Sequence, residues 1–349
     1  MNKKWIDKIY RFRGQLNTRF NYLRLDKNER TSNFHEKTLD NIKKQLTSFH
    51  LSAYPEIEKT YIKLSHYLKL PKKNIVITAG SDLAIKNCFE LFKDEKKKII
   101  SLSPTFAMVD IYAKLYRVKQ IQIKYDKFLN LDHKKILKNI NKNIAFIIVA
   151  NPNSPTGTVI KKEIFLKILK KAKSYKVPVI IDEAYYGFYK FSYIKYIKKF
   201  NNLIIIRTFS KAFGLAGLRA GFIVSNSLIA QNLYKFKPMY EINSITCIAV
   251  NELLKNNKIN KEYIKKVNIG KKYLIKELNR LQINCLKTFA NFIHIDLGKN
   301  RKNIIRILKK NKILAQKGPG IKGLEKYLRI TLGPREDMKK VIKIIKQYD

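Results

Sequence analysis

Side chains that could do chemistry stand directly after the apolar runs of this 349-residue chain. Asp182 closes the run VPVII, and Lys211 follows LIIIRTFS and opens the small-residue stretch KAFGLAGLRAG. A charged group beside a buried strand requires an opposite charge, a hydrogen-bond donor or a ligand. Because ligands of open α/β sheets gather at the carboxyl ends of the strands, we expect both residues to share one site. The other residues at such strand ends are Gly80, Ser81, Asp82, Phe106, Asn153, Ser154, Tyr185 and Ser210.

Together, these residue types meet the needs of a pyridine-aldehyde cofactor that carries a phosphate. Such a cofactor needs a lysine to form an imine and an acid to keep its ring nitrogen protonated. Lys211 can supply the amine and Asp182 the acid. Phe106 can cover the ring, and Tyr185 can donate a hydrogen bond to its phenolate oxygen. The predicted cup for the phosphate consists of Gly80, Ser81, Asp82, Ser210 and Arg219, and the N-terminus of the helix after Gly80 adds its dipole.

Each of these features also has a purely structural interpretation. Gly80 and Ser81 can form a helix N-cap, NPNSPTG (151–157) can be an ordinary turn, and Asp182 can be a buried structural acid. The run GLAGLRAG does not match G-x-G-x-x-G, which argues against a dinucleotide site. The order and combination of the motifs favour the cofactor site.

The motifs resemble those of one family over nearly the whole chain. The matching segments are Leu25–Glu29, Tyr54–Glu56, Asp182–Tyr185, Arg207–Gly221 and Leu328–Thr331. The sequence is similar to fold-type I pyridoxal-phosphate enzymes, the class I/II aminotransferases, and most closely to the histidinol-phosphate aminotransferase group. Arg207–Gly221 is the most specific of these segments, and NPNSPTG adds weight.

The resemblance implies roles for individual residues and for a second subunit. Lys211, Asp182 and Tyr185 would be catalytic, with pyridoxal 5'-phosphate as cofactor and no metal. Tyr54 would reach across a homodimer interface to the cofactor phosphate of the other subunit, so that two chains build each site. Arg329 would bind the acidic group of the substrate through its bidentate fork.

This sequence departs from the family pattern at three positions. Asn usually stands directly before PTG, but here Ser154 takes that position and Asn153 precedes it, so either residue can be the cofactor contact. The arginine that histidinol-phosphate enzymes tend to carry near Gln316 is absent. Arg30 stands where the family has proline, and we expect it to supply a cation for a phosphorylated substrate. The expected substrate-binding residues are therefore Arg329, Asn28 and Arg30.

Two other functions compete with transamination between an amine and a keto acid. The first is decarboxylation of a phosphorylated amino acid, of the threonine-phosphate or serine-phosphate type, because the substrate pose decides which bond is cleaved. The second is nucleic-acid binding, suggested by a net charge of +47. The lysines are spread along the whole chain together with Ile and Asn, as in KNINKNIAFII, rather than gathered in one stripe. This spread argues against nucleic acid and leaves small molecules as the predicted partners.

The elements that must position the site alternate between apolar runs and amphipathic segments. The runs fall at 74–78, 98–102, 120–123, 144–149, 177–182 and 203–208. Because they are continuously apolar, they predict strands buried on both faces of a mainly parallel sheet flanked by helices, the type I pyridoxal-phosphate transferase fold. We predict an N-terminal arm with part of the small domain at 1–45, a large α/β domain at 46–245 and a smaller α+β domain at 246–349.

The cysteines and the apolar runs of the sequence indicate the cellular compartment. Cys88, Cys247 and Cys285 are scattered and form no C-x-x-C pair, which suits a reducing cytoplasm and argues against a zinc site. The basic opening residues lack an apolar core of the kind found in signal peptides. No run approaches the ~20 apolar residues of a membrane helix. We therefore predict a cytoplasmic protein without a membrane partner.

Overall fold

The protein is described by a computed structural model over residues 6, 7, 9 and 18–348, and the side chain of residue 348 is not included. The first part of the predicted N-terminal arm therefore lies mostly outside the described residues. The strands are β1 (Leu23–Arg24), β2 (Ile75–Thr78), β3 (Lys98–Ser103), β4 (Lys119–Lys124), β5 (Ile144–Ala150), β6 (Val179–Asp182), β7 (Leu203–Thr208), β8 (Gly221–Val224), β9 (Phe292–Asp296), β10 (Ile313–Leu314), β11 (Gln316–Lys317) and β12 (Tyr327–Thr331). The helices are α1 (Glu36–Gln45), α2 (Phe49–Ser52), α3 (Glu58–Leu68), α4 (Gly80–Phe92), α5 (Ala107–Leu115), α6 (His133–Asn139), α7 (Lys162–Ser174), α8 (Ser227–Tyr234), α9 (Ser244–Lys255), α10 (Lys258–Arg280), α11 (Arg301–Lys310) and α12 (Arg335–Tyr348).

Seven strands form the central sheet in the order β2-β8-β7-β6-β5-β3-β4. The neighbours from β7 to β4 pair in parallel, and β8 runs antiparallel to both β7 and β2. Every residue of β5, β6 and β7 is buried, as continuous apolar runs require when helices cover both faces. The prediction of a mainly parallel sheet flanked by helices is confirmed.

Amphipathic helices supply the layers that cover this sheet. In α7, the buried residues Phe165, Ile168, Leu169 and Ala172 follow the three- and four-residue spacing of one helix face, and lysines occupy much of the other face. One core cluster includes Phe165 and Ile181, and another includes Phe146 and Ile180. Consecutive strand residues point to opposite faces, so Ile180 and Ile181 enter different clusters.

A second group of elements packs around the long helix α10. The strands β11, β12 and β9 form an antiparallel sheet, and a separate core joins β9 and β12 to α10, α11 and α12. The strand β1 pairs in parallel with β10, which brings the N-terminal segment to this part of the chain. The predicted division at residues 45 and 246 stays a prediction.

The structure differs from the sequence expectations at one place. The strand β8 was not expected, because it is only four residues long and begins at Gly221, the last residue of the glycine-containing motif. Among the described residues, no helix combines the length and the apolar character that crossing a bilayer requires.

Candidate active site

A cavity of about 880 Å³ lies at the carboxyl ends of the central strands. Ala150, Asp182 and Thr208, the last residues of β5, β6 and β7, all line it. Parallel strands end at the same edge of a sheet, which is why side chains distant in sequence meet there. The predicted site residues that line this cavity are Asn28, Arg30, Ser81, Asp82, Phe106, Ser154, Asp182, Tyr185, Ser210, Lys211, Arg219 and Arg329. Gly80, Asn153 and Tyr54 do not line it.

Lys211 projects into the cavity from the loop after β7. Its Nζ donates a hydrogen bond to the backbone carbonyl of Lys27, at 2.9 Å. Burial lowers the pKa of Lys211 to about 8; Glu29 opposes this shift, and Arg329 and Arg219 reinforce it. The amine therefore loses its proton far more readily than an exposed lysine does, and an unprotonated amine can attack a carbonyl carbon or accept a proton.

Asp182 is a buried carboxylate that contacts no cation among the described residues. Its side chain is only 6% exposed, and within residues 18–348 its one hydrogen bond comes from the backbone N–H of Ala184, at 2.9 Å. Burial raises the pKa of Asp182 to about 7, and the charge of Glu183 acts in the same direction. A positively charged ligand atom against this carboxylate would stabilise its ionised form.

The predicted phosphate cup forms at the N-terminus of α4. Gly80 has φ of +83°, and a Cβ at this position would lie 2.8 Å from Nη2 of Arg219, so glycine allows the guanidinium to approach the helix end. Arg219 also donates from Nη1 to the hydroxyl of Ser210, at 3.2 Å. A helix N-terminus with an adjacent guanidinium and hydroxyl is a setting that binds phosphate. Asp82 accepts a hydrogen bond from the hydroxyl of Tyr112, at 2.9 Å.

Tyr185 is held in a defined position above the floor of the cavity. Its hydroxyl accepts a hydrogen bond from Nδ2 of Asn28, at 3.0 Å, and its ring meets that of Phe292 edge to face. Burial raises the pKa of Tyr185, so the phenol stays protonated and able to donate at neutral pH. The predicted substrate contact Asn28 is itself buried. Its backbone carbonyl accepts a hydrogen bond from Nδ2 of Asn291, and its own Nδ2 is used by the bond to Tyr185.

Of the two candidates in the NPNSPTG segment, the structure brings Ser154 and not Asn153 to the cavity. The amide of Asn153 is fully buried and already bonded, because Oδ1 accepts from Thr105 and Nδ2 donates to Thr156 and to the carbonyl of Pro104. In this structure the Asn153 side chain therefore helps to fix the loop, whereas Ser154 lies at the cavity wall. Which of the two residues contacts the cofactor stays a prediction.

Two of the three predicted substrate residues are arginines whose guanidinium groups keep unused hydrogen-bonding capacity. Arg329 donates from Nη2 to the carbonyl of Asp26, at 2.8 Å, and its buried Nε has no partner among the described residues. The guanidinium of Arg30 lies between the rings of Phe34 and Tyr263, 4.2 Å from each centroid, and its buried Nη1 has no described partner. Burial lowers the pKa of both groups, which nevertheless remain charged.

Phe106 and Tyr54 occupy different places from the buried site residues. Phe106 lies at the cavity rim, 36% exposed. Tyr54 is 76% exposed, stacks on Tyr240 with centroids 4.2 Å apart, and lies beside a different cavity. A single chain therefore does not bring Tyr54 to its own Lys211.

Several cavity residues were not found by sequence reasoning. Arg19 pairs with both Asp26 and Glu29, at 2.6 Å each, and Arg24 lies 3.4 Å from Glu29. These charges neutralise one another at the wall formed by the N-terminal segment. The contact of Lys27 with Lys211 has no sequence signal, because it uses a backbone carbonyl. Asp26 and Glu29 stand in a segment that carried the family resemblance, and that was the only signal for them.

Comparisons with known proteins agree with this geometry. The model of the family "Aminotransferase class I and II" matches residues 20–345. A histidinol-phosphate aminotransferase from Clostridium novyi is 34% identical over 94% of this chain and 92% of its own length. The solved structure of histidinol-phosphate aminotransferase from Sinorhizobium meliloti in complex with pyridoxal-5'-phosphate has a TM-score of 0.86 at 20% identity, over 100% of this chain and 98% of that one. An L-threonine-O-3-phosphate decarboxylase from Porphyromonas gingivalis has a TM-score of 0.79 at 20% identity, over 93% of this chain and 99% of that one.

Fold and cavity together define a pyridoxal-phosphate enzyme of fold type I. The chain belongs to the class I and II aminotransferases. The two solved structures show the fold alone, and since one is a decarboxylase, the fold does not separate the two reactions. The sequence relatives do so, because they are aminotransferases matched over nearly the full length of the chain. The described residues fit the cofactor in two respects: Asp182 is a buried acid that lacks a cation, and Gly80 leaves room for Arg219 at the helix end.

Proposed function

We propose that this aminotransferase moves the amino group of a phosphorylated amine of the histidinol-phosphate type to a keto acid. The observation that carries the proposal is the supply of arginines in the cavity beyond the one in the phosphate cup. Arg19 and Arg24 are compensated by Asp26 and Glu29, whereas Arg30 and Arg329 have no carboxylate within ion-pair distance in the described part of the chain. Two uncompensated guanidinium groups favour substrates with an acidic group, and a phosphate meets this requirement best.

The reaction assigns one role to each buried group. Pyridoxal phosphate, when bound, supplies an aldehyde carbon and a ring that withdraws electrons from the α-carbon of the substrate. Lys211 would hold the cofactor through its amine and would move the proton at the substrate α-carbon. Its lowered pKa suits it to this role, because a base that titrates near the working pH is the most effective. Asp182 would keep the ring nitrogen protonated, and Tyr185 would donate a hydrogen bond from its buried hydroxyl.

The phosphate-binding groups divide into two sets by position. Arg219 and Ser210 stand at the start of α4 beside Ser81, and we assign them to the cofactor phosphate. Arg329 and Arg30 come from β12 and from the N-terminal segment, and we assign them to the substrate. Arg30 is rigid, because its Nε bonds the carbonyl of Ser32 while two rings hold its plane. A fixed guanidinium loses little conformational entropy when it binds an anion.

The active unit in this proposal is a homodimer, in which Tyr54 completes the phosphate cup of the partner. Support comes from the strong exposure of apolar side chains around Tyr54, which is unusual for a surface left in water. Phe49, Leu51 and Met239 are all more than 70% exposed, and Tyr240 stacks on Tyr54. The Tyr54→Phe variant should weaken cofactor binding without changing the dimer mass measured by light scattering. A monomeric, fully active enzyme would contradict this part of the proposal.

We place the enzyme in the cytoplasm. Its three cysteines are free, and Cys88 and Cys247 are buried thiols, a state that a reducing compartment maintains.

A substrate panel tests the reaction. The purified enzyme is given histidinol phosphate, histidinol, phenylalanine and O-phosphothreonine, each with and without 2-oxoglutarate, while glutamate and carbon dioxide are measured. We expect glutamate from histidinol phosphate, a KM for histidinol at least tenfold higher because the phosphate contacts are lost, and no carbon dioxide. Release of carbon dioxide from O-phosphothreonine without a keto acid would replace this proposal with the decarboxylase.

A further inference from the structure

A second cavity, of about 720 Å³, lies behind the active site, between α10 and the loops that follow Asp182 and Lys211. Its volume is in the range of small-molecule sites. It shares no lining residue with the first cavity, although Tyr186 and Ala212 are sequence neighbours of Tyr185 and Lys211. The residues that line it are Tyr67, Tyr186, Gly187, Lys190, Ala212, Phe213, Asn257, Asn260, Lys261, Ile264, Lys265, Asn268, Ile269 and Lys272.

One wall of this cavity is aromatic and held in place by its neighbours. Tyr67 and Phe213 meet edge to face, with centroids 6.0 Å apart. The ring of Tyr186 is covered by the guanidinium of Arg207, 3.6 Å from its centroid, and Arg207 is itself fixed by the buried acid Glu183. Rigid rings are suited to contact with a planar apolar group, because little side-chain entropy is lost on binding.

The charged residues in the lining of this cavity are all lysines. Lys190, Lys261, Lys265 and Lys272 line the cavity without an aspartate or glutamate among its described lining residues. None of the four lies within ion-pair distance of a carboxylate in the described part of the chain. Lysines that converge on a concave surface without counter-charges attract anions.

A buried amide belongs to the same lining and has unused hydrogen-bonding capacity. Asn260 is only 2% exposed, yet neither its Nδ2 nor its Oδ1 has a hydrogen-bond partner among the described residues. An unpaired buried amide destabilises a protein, so its presence next to a cavity requires an explanation. A ligand with an acceptor oxygen would supply the missing partner for Nδ2.

We propose that this second cavity binds a small aromatic anion, with its planar ring against Tyr67, Tyr186 and Phe213 and its carboxylate or phosphate among Lys261, Lys265 and the amide of Asn260. This site is separate from the cofactor cavity, and the proposal does not depend on which amine the enzyme uses.

The test uses 2-naphthoate as the anionic probe and 2-naphthamide as its uncharged counterpart of the same shape. Both are titrated into the cofactor-loaded enzyme by calorimetry, with 2-oxoglutarate present in excess to occupy the substrate site. We expect naphthoate to bind at one site per chain and naphthamide to bind about tenfold more weakly, because it lacks the charge. Equal affinities for the two probes, or no binding of naphthoate, would overturn the proposal.

Two double variants, one in the cavity and one outside it, locate the site. The double variant Lys261→Gln/Lys265→Gln should weaken naphthoate about tenfold and leave naphthamide unchanged. Its matched control is Lys302→Gln/Lys310→Gln on α11, which removes the same total charge from exposed positions outside the cavity and should leave naphthoate binding intact. If the control loses as much affinity as the cavity variant, the attraction comes from the overall charge and the proposal fails.

Asn260→Leu tests the unpaired amide separately. Leucine has a similar volume and no polar atoms, so the variant should unfold at a higher temperature while its affinity for naphthoate falls several-fold. An amide that serves only the fold predicts the opposite pair of results, a lower unfolding temperature with unchanged affinity. Those results would remove Asn260 from the site and overturn the proposal as stated.

Discussion

Asp182 and Glu183 are consecutive carboxylates at the end of β6, yet their surroundings differ completely. Glu183 accepts hydrogen bonds from Nε and Nη2 of Arg207, both at 3.0 Å, and from Ser192 and the backbone of Tyr193, both at 2.7 Å. Asp182 accepts one, from the backbone of Ala184. The first carboxylate is fully satisfied by the protein and supports the loop. The second is left incomplete where the cavity begins, which marks it as a group for a ligand.

The largest effect is expected from removing the amine of Lys211, the other buried group assigned to the cofactor. Lys211→Ala should abolish transamination and the visible absorbance that the loaded enzyme owes to the linkage with Lys211, because alanine removes the amine that forms this linkage. The control is Lys27→Ala, which keeps the backbone carbonyl that Nζ of Lys211 contacts and should retain activity. A spectrum of Lys211→Ala that matches the wild type would assign the linkage to a different lysine.

Exchanging each carboxylate for its amide should separate the two environments. Asp182→Asn should lower kcat by about 10³-fold, because an amide cannot hold the positive charge of the ring nitrogen. Glu183→Gln should instead destabilise the fold by about 3 kcal/mol, because it leaves Arg207 buried without its counter-charge. Steady-state kinetics and thermal unfolding of both variants check the two results. If Glu183→Gln proves as stable as the wild type, the contrast between the two carboxylates is lost.

In the cofactor-free protein, the effect of Asp182→Asn on stability should depend on pH. Folding raises the pKa of Asp182 to about 7, so the folded state holds a proton that the unfolded state releases near pH 4. The contribution of Asp182 to stability is therefore fully present below pH 4. Between pH 4 and pH 7 this contribution declines by about 1.4 kcal/mol per pH unit. Asp182→Asn should accordingly be more stable than the wild type at pH 8, and this advantage should vanish near pH 4. Unfolding curves at both pH values measure it.

The variant Arg329→Met tests whether a guanidinium group with an unpaired N–H binds the substrate. Arg329→Met keeps the apolar stem and removes the guanidinium, so KM for amine and keto acid should rise about 100-fold, with a smaller change in kcat. Arg306→Met on α11 removes an arginine outside the cavity and should leave KM unchanged. An unchanged KM in Arg329→Met would require a different anion partner in the cavity.

Arg30 should have a narrower effect. Arg30→Met should raise KM about tenfold for phosphorylated substrates and leave that of unphosphorylated amines unchanged, because methionine still fills the space between Phe34 and Tyr263. The ratio of the two KM values is the measurement, and it corrects for any general loss of stability. An unchanged KM for every phosphorylated substrate would leave Arg30 with a structural role only.

The smallest effect is expected from a substitution that adds a cation at Gln316. Gln316 lines the cavity and lies opposite Arg329 in the pairing of β11 with β12, at the position near which the related enzymes tend to carry arginine. Gln316→Arg should lower KM for histidinol phosphate by about threefold, since repulsion between the two guanidinium groups offsets part of the gain. Gln316→Lys provides the comparison with a single point charge. A higher KM in both variants would show that the substrate phosphate lies elsewhere.

The sequence was most informative where chemistry coincides with strand ends. Asp182, Lys211 and Tyr185 were predicted because apolar runs locate the carboxyl edge of a parallel sheet. The different positions of Asn153 and Ser154 relative to the cavity depend on hydrogen bonds within the folded loop, which the sequence does not reveal. The carbonyl of Lys27 and the ion pairs of Arg19 left no pattern, because backbone contacts and long-range pairs have no fixed spacing.

The pairing of β1 with β10 determines when this site can form during synthesis. Leu23 pairs with Ile313, and the backbone N–H of Asn28 donates to Thr331, about three hundred residues later in the chain. The wall that contacts Lys211 is thus synthesised well before the strands that support it. A nascent chain that has completed β7 already exposes the lysine loop without this wall in place, so cofactor capture should follow synthesis of β12.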